Sequence, residues 1–189
     1  MTMTALSGAG KRAERLAERL RTQGHEVTVL APGPGSTPEP DSVDHYLQLP
    51  LALTLTGDNM VARVHSFLND GLMARFGLVE RMLPSLRKGA SVVLVSGSTV
   101  VGASVPDDEH SRLALLHVLA HALRAELAGI DVRVQVVDGS HSDEDLVGSL
   151  LGERGTSPSP YSDVSAIPSG KQYEDWRTEV MGLFHPITA

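Results

Sequence analysis

No cysteine occurs among the 189 residues, so disulfides, thiolate metal sites and cysteine nucleophiles are excluded together, and the redox compartment is left open. Aromatic residues are scarce at 4%, and the only tyrosines are Tyr46, Tyr161 and Tyr173. Lysine is limited to Lys11, Lys88 and Lys171. There is no apolar run of the roughly 18 residues that a membrane helix requires, and the start MTMTALSGAGKR lacks the charged, apolar, small layout of a secretory leader. The expectation is a soluble cytoplasmic protein without a membrane partner. A formal charge of -7 with scattered Lys and Arg opposes a phosphate backbone, so nucleic acid is not an expected partner.

What is present suffices for one globular core, since 41% of the residues are hydrophobic. Prolines and glycines concentrate in APGPGSTPEP (31 to 40) and GERGTSPSPYS (152 to 162), both expected to be loops. Met3 to Ser7 predicts a strand. Gly8 turns it into a helix on which Ala13, Leu16, Ala17 and Leu20 recur until Gly24. Val27 to Leu30 predicts a second strand and DHYLQLPL a third. A long helical pattern follows, through Val61, Val64, Phe67, Leu68, Leu72, Phe76, Val79 and Leu83. The unbroken β-branched run SVVLVS (91 to 96) predicts a strand buried on both faces. A helix over about Glu109 to Leu127 leads to a strand at VRVQVV (132 to 137). Weaker patterns place a helix near Asp143 to Leu151, a strand near Val164 to Ile167 and a terminal helix from Gln172. Alternating strands and helices predict an α/β, Rossmann-like, doubly wound parallel sheet over 1–170, with a helical tail over 171–189.

The stretch LPSLRKGASVVLVSGSTVVGA, then a helix closing on LRAELAGIDVRVQVVDG, resembles the central half of a short-chain dehydrogenase/reductase. The resemblance extends to the first strand, turn and helix and to YSDVSAIPSG, and so covers most of residues 3 to 170. Two departures define its limits. Only about a dozen residues separate the second strand from the third, too few for the crossover helix and edge strand the family places there. The sheet is therefore expected to be shortened by both. The same abbreviation occurs in the non-catalytic first domain of two-domain, high-molecular-weight 3-oxoacyl-carrier-protein reductases, which this chain also resembles in its Gly-Ala-Gly turn. In addition, the family's Tyr-x-x-x-Lys pair is missing: alignment back from Ala125-Glu126-Leu127 puts Glu109 and Leu113 at those places. In the family that tyrosine supplies a proton to the nascent alkoxide and the lysine tunes it, and losing such help costs about 10²- to 10⁴-fold.

The remaining candidates follow from the resemblance and from the residues themselves. Gly8, Gly10, Lys11, Arg12 and Ala13 fit G-x-G-x-x-A between strand and helix, where a dinucleotide pyrophosphate meets backbone N–H groups. No acidic residue follows the second strand at Ala31-Pro32, which disfavours NAD, whereas Lys11 and Arg12 suit the extra phosphate of NADP(H) or simply form a solvated helix start. Ser96 flanks the place of the family's catalytic serine, Asn69 falls near its helix asparagine, and Glu109 or His110 would relay a proton through Ser96 in a rearranged oxidoreductase. A Ser-His-Asp hydrolase lacks its G-x-S-x-G elbow here. His110, His117, His121 and Arg124 share one helix arc, read as a solvent-facing stripe or, alternatively, as a pH-sensitive subunit contact. They offer zinc only two ligands at i, i+4 spacing, so no metal is expected. The expectation is a non-catalytic reductase-like subunit, with no cofactor or NADP(H), that pairs with itself or with an active reductase through the helices about 60 to 86 and 109 to 127. The alternatives are an NADPH-dependent oxidoreductase with a non-standard site and a small-molecule sensor.

Overall fold

A computed structural model describes residues 1–30, 37–50, 56–66, 69, 73–97, 116–117, 119–120, 122–124 and 126–152, all within the compact unit Met1–Thr156. Five strands, β1 (Thr2–Ser7), β2 (His25–Leu30), β3 (Val43–Gln48), β4 (Leu86–Val95) and β5 (Arg133–Val137), form one all-parallel sheet in the order β2-β1-β3-β4-β5. With β2 at the margin, the sheet is the Rossmann-like one expected, lacking a strand beyond β2 among the described residues.

Strand period and helix period together make two cores. On one sheet face Leu6, Leu47, Val93, Val95 and Val137 meet α1 (Lys11–Thr22) through Ala13, Leu16 and Leu20, and α5 (Asp143–Leu151) through Leu146, Val147 and Leu150. On the other, Ala5, Tyr46, Val92, Leu94 and Val134 meet α3 (Ala74–Met82) through Val79 and Met82, and the helical residues of α4 (116–126) through Leu116, Leu119, Ala120 and Leu123. Each fully buried leucine contributes about 1.5–3 kcal/mol, so the two layers together hold the sheet between them. α1 stops where Gly24 takes φ 87, a left-handed turn that spares β-carbon strain. α5 starts at Ser142, whose hydroxyl accepts from the N–H of Asp145 at 3.1 Å, and Asp143, Glu144 and Asp145 fill its first turn.

One expectation needs correction and another is met in part. Of the long helix expected from Val61 to Leu83, the described residues hold α2 (Met60–Ser66) and α3, with a 3₁₀ turn following at Leu83–Ser85. Asn69 and Met73 carry i to i+5 turns, which slip the 3.6-residue period that the apolar pattern presumes. The histidine arc is not a solvent-facing stripe at its described members: His117 and Arg124 are half-buried, and Arg124 donates from Nε and Nη2 to the carbonyl of Val134 at 3.0 and 2.7 Å. The leucine face is buried as expected at Leu116, Ala120, Leu123 and Leu127, and the helix sinks far enough to take its flank with it. The elements expected at Val164 to Ile167 and from Gln172 lie outside the described residues.

Candidate active site at the carboxyl edge of the sheet

The order of strand addition reverses between β1, which leads outward to β2, and β3, which leads the other way to β4 and β5. In such sheets the loops after these strands diverge and leave a crevice at their carboxyl ends. Its margins are Ser7-Gly8, Leu49-Pro50, Ser96-Gly97 and Asp138-Gly139. Gly8 is required by close approach, because a β-carbon there would stand 2.8 Å from Cβ of Leu49. Gly10 is required by its φ of 81, and no side chain or backbone lies within 4 Å of where its β-carbon would be. As the N-cap of α1 it contributes no side-chain cap, so first-turn N–H groups remain available to an anion. Ala13, 3% exposed, lets α1 lie close on the sheet. On the far margin a β-carbon on Gly139 would collide with the carbonyl oxygen of Ser96, so the ends of β4 and β5 close together only over glycine.

Of the two basic residues at the start of α1, Lys11 is exposed. Arg12 is engaged within the chain: it donates to the carbonyls of Gly139 (2.6 Å) and His141 (2.5 Å) and, through Nε, to Asp143 Oδ1 (3.1 Å). Arg15 adds a 2.9 Å ion pair to Asp143. Burial alone would raise the Asp143 carboxyl, but the two guanidiniums outweigh it and hold the group below the usual carboxylate range. Asp138 is likewise held down, first by the side-chain and backbone hydrogen bonds of Ser140. The loop after β5 is thereby tied to the first turn of α1.

Ser96 is 1% exposed; its N–H donates to the carbonyl of Val137 at 2.8 Å, and its hydroxyl finds no hydrogen-bond partner among the described residues. Asn69 is exposed and lines an open cleft of about 590 Å³ with Thr56, Gly57, Asn59, His65 and Ser66. Glu109 and His110, the proposed relay partners of Ser96, lie outside the described residues. No group of three or more His, Asp or Glu able to hold a metal is found among the described residues.

A polar network that the sequence reading missed lies beneath the crevice. Ser7 Oγ and Tyr46 Oη are 2.9 Å apart, Gln48 Nε2 donates to Tyr46 Oη (3.2 Å) and to the carbonyl of Arg75 (3.0 Å), and Arg75 donates from Nε to Gln48 Oε1 (2.9 Å) and from Nη2 to the carbonyl of Val95 (2.8 Å). Tyr46 and Gln48 are wholly buried and Arg75 is 7% exposed. The only signal for it was the two-residue spacing of Tyr46 and Gln48, which puts both polar tips on one face of a strand end. Burial pushes the Tyr46 phenol above its ordinary value, against the pull of Ser7 and Gln48. Lys88 is exposed near the amino end of β4, away from the crevice. No helix among the described residues is long and apolar enough to cross a membrane.

Solved structures share this fold. A Corynebacterium glutamicum protein assigned provisionally to the short-chain dehydrogenases/reductases matches with a TM-score of 0.55 and 18% identity, over 82% of this chain and 94% of its own. The protein lin1944 from Listeria innocua matches with a TM-score of 0.53 and 17% identity, over 88% of this chain and 91% of its own. No protein-family model matches the sequence, and no curated protein does. The likeness at such identities is one of fold, and the fold is short-chain-dehydrogenase-like.

Proposed function

We propose that the chain is a non-catalytic, reductase-like subunit that works by association, pairing with itself or with an active short-chain reductase. The observation that carries this reading is the fate of the phenols and amines. No Tyr-x-x-x-Lys occurs in the sequence, Tyr46 is sealed under the crevice with its hydroxyl bonded on two sides, and Lys88 is remote. Among the described residues, a carbonyl resting at the Gly10 turn would meet backbone N–H donors but no tuned acid of the family's kind. In kind the chain resembles the non-catalytic first domain of the high-molecular-weight 3-oxoacyl-carrier-protein reductases, which shares the abbreviated margin after β2.

Association is assigned to the α2–α3 and α4 layer, where relatives of this kind pair. Val61 is 62% and Met73 54% exposed there, and large apolar residues this open are few among the described residues. The Val61→Glu/Met73→Glu double variant is expected to halve the assembly mass in light scattering while the far-ultraviolet circular dichroism stays unchanged. An unchanged mass removes the association surface from this reading. Titration with NADPH and NADH followed by nucleotide fluorescence, together with a simple ketone, is expected to give no turnover above the uncatalysed background.

The Ser96 hydroxyl, buried and without a hydrogen-bond partner among the described residues, favours a second reading: an NADPH-dependent oxidoreductase with a rearranged acid. That reading requires saturable NADPH binding and a turnover that Ser96→Ala abolishes. Ketone reduction at an ordinary enzymatic rate by the purified chain alone would end the first reading in its favour.

A further inference from the structure

The outer margin of β2 is an unfinished strand. The β1–β2 ladder runs without a bulge from Thr2↔His25 to Ser7↔Leu30. The carbonyl of Ser7 accepts from Leu49 on the β3 side, so by alternation Thr4 and Leu6 face β2. The peptide groups of Glu26, Thr28 and Leu30 then turn inward, and those of His25, Val27 and Val29 turn outward. Among these the Val27 carbonyl receives a long 3.5 Å contact from Arg21 Nη2, and the others make no hydrogen bond among the described residues. Val29 is 45% exposed and Glu26 is exposed, so the strand is open on both of its faces. Protective devices common on edge strands, namely lysine, proline and bulges, are absent from HEVTVL.

We propose that β2 pairs antiparallel with β2 of a second copy of this chain about a twofold axis at Val27, joining the two sheets into one. The sequence is complementary to itself in this register alone. Val27 faces Val27 of the second copy, and Val29 faces its His25, so the outward peptide groups meet as hydrogen-bonded pairs. The exposed Val29 is covered on the α1 side, and Glu26 stands opposite Thr28 on the other. Sliding one way sets Glu26 against Glu26, a like-charge clash. Sliding the other way carries His25 beyond the end of the strand and loses one of its pairs. The twofold contact uses both β2 margins at once, so by itself it closes at a dimer and leaves no free margin for a third β2. This surface is distinct from the helix layer assigned above and does not depend on it.

The absence of cysteine makes the test direct. In Val27→Cys, the thiols of two paired strands fall within disulfide reach, and mild oxidation is expected to give a reducible covalent dimer of twice the 20.1 kDa chain. Lys88→Cys, exposed on β4, is the control for random collision. Adding Val29→Lys to Val27→Cys is expected to abolish the crosslink, and Val29→Lys alone is expected to halve the assembly mass. Crosslinking of Val27→Cys at the control level, or an unchanged mass in Val29→Lys, overturns the proposal. In the Val61→Glu/Met73→Glu background the crosslink persists if β2 pairs, so failure of the helix surface and failure of the strand surface are told apart.

Discussion

Replacing Arg75 with methionine is expected to cost about 2–5 kcal/mol, a large share of the roughly 5–15 kcal/mol that holds a domain of this kind folded. The side chain is 7% exposed, and its guanidinium satisfies Gln48 Oε1 and the carbonyl of Val95 at 2.9 and 2.8 Å. Methionine has similar length and no donor. Both acceptors then stay dry, and each dry acceptor costs about 1–3 kcal/mol. Gln48 also holds Tyr46 Oη, which in turn meets Ser7, so disorder at position 48 spreads to the ends of β1 and β3. In a chain of this length the loss corresponds to a fall in Tm of about 5–15 °C. Denaturation by urea measures it. Gln48→Leu in the same chain is expected to recover part of the loss, because removing both partners of a buried bond costs less than stranding one. A loss below about 1 kcal/mol for Arg75→Met would mean that water replaces the guanidinium and that the network is not dry.

The network also marks where reading the sequence stops. Strands were legible because their cue is local: the run SVVLVS cannot place one face in water, and β4 is buried from Ala90 to Val95. Its beginning was not, because Arg87, Lys88 and Gly89 are exposed and resemble a loop, while the strand already starts at Leu86. The missing crossover was legible as a chain length, since a dozen residues cannot return as helix and strand, and β2 stands at the sheet margin accordingly. Nothing local relates Ser7, Tyr46, Gln48 and Arg75, which come from two neighbouring strands and a helix on one face. Arg12 illustrates the same limit. Its place after Gly10 was legible, but its bonds to Gly139, His141 and Asp143 link positions more than a hundred residues apart. The helical wheel gave the direction of His117 and Arg124 but not the depth of the helix, and depth decided that both are half-buried.

That depth carries the second large effect: acidification from about pH 6.5 to pH 4 is expected to destabilise the fold by about 1–3 kcal/mol through His117. Burial, helped by the nearby Arg124 charge, lowers this imidazole from its ordinary 6.5 to about 4. The folded state therefore keeps His117 neutral where the unfolded chain would protonate it. Its contribution is complete above pH 6.5 and is lost as pH falls from there toward 4, because the unfolded state takes up the proton first. The range lies below the full conversion of the shift, since the ring is only partly buried and solvent screens it. His45 acts in the same direction: burial, His25 and Arg133 lower it, and Asp44 opposes them. The carboxylates have a different window. Asp44 is held down by Met3 N–H and Arg87 despite its burial, and with Asp138 and Asp143 it gives up stability only as pH falls below the ordinary carboxylate value near 3.8. A urea midpoint measured at pH 7.5 and again at pH 4.5 separates these groups. The midpoint should fall with pH in the parent chain, and His117→Leu should flatten most of that fall between the two values. A His117→Leu chain as acid-sensitive as its parent would place the proton uptake elsewhere, with His45→Leu as the next variant to compare.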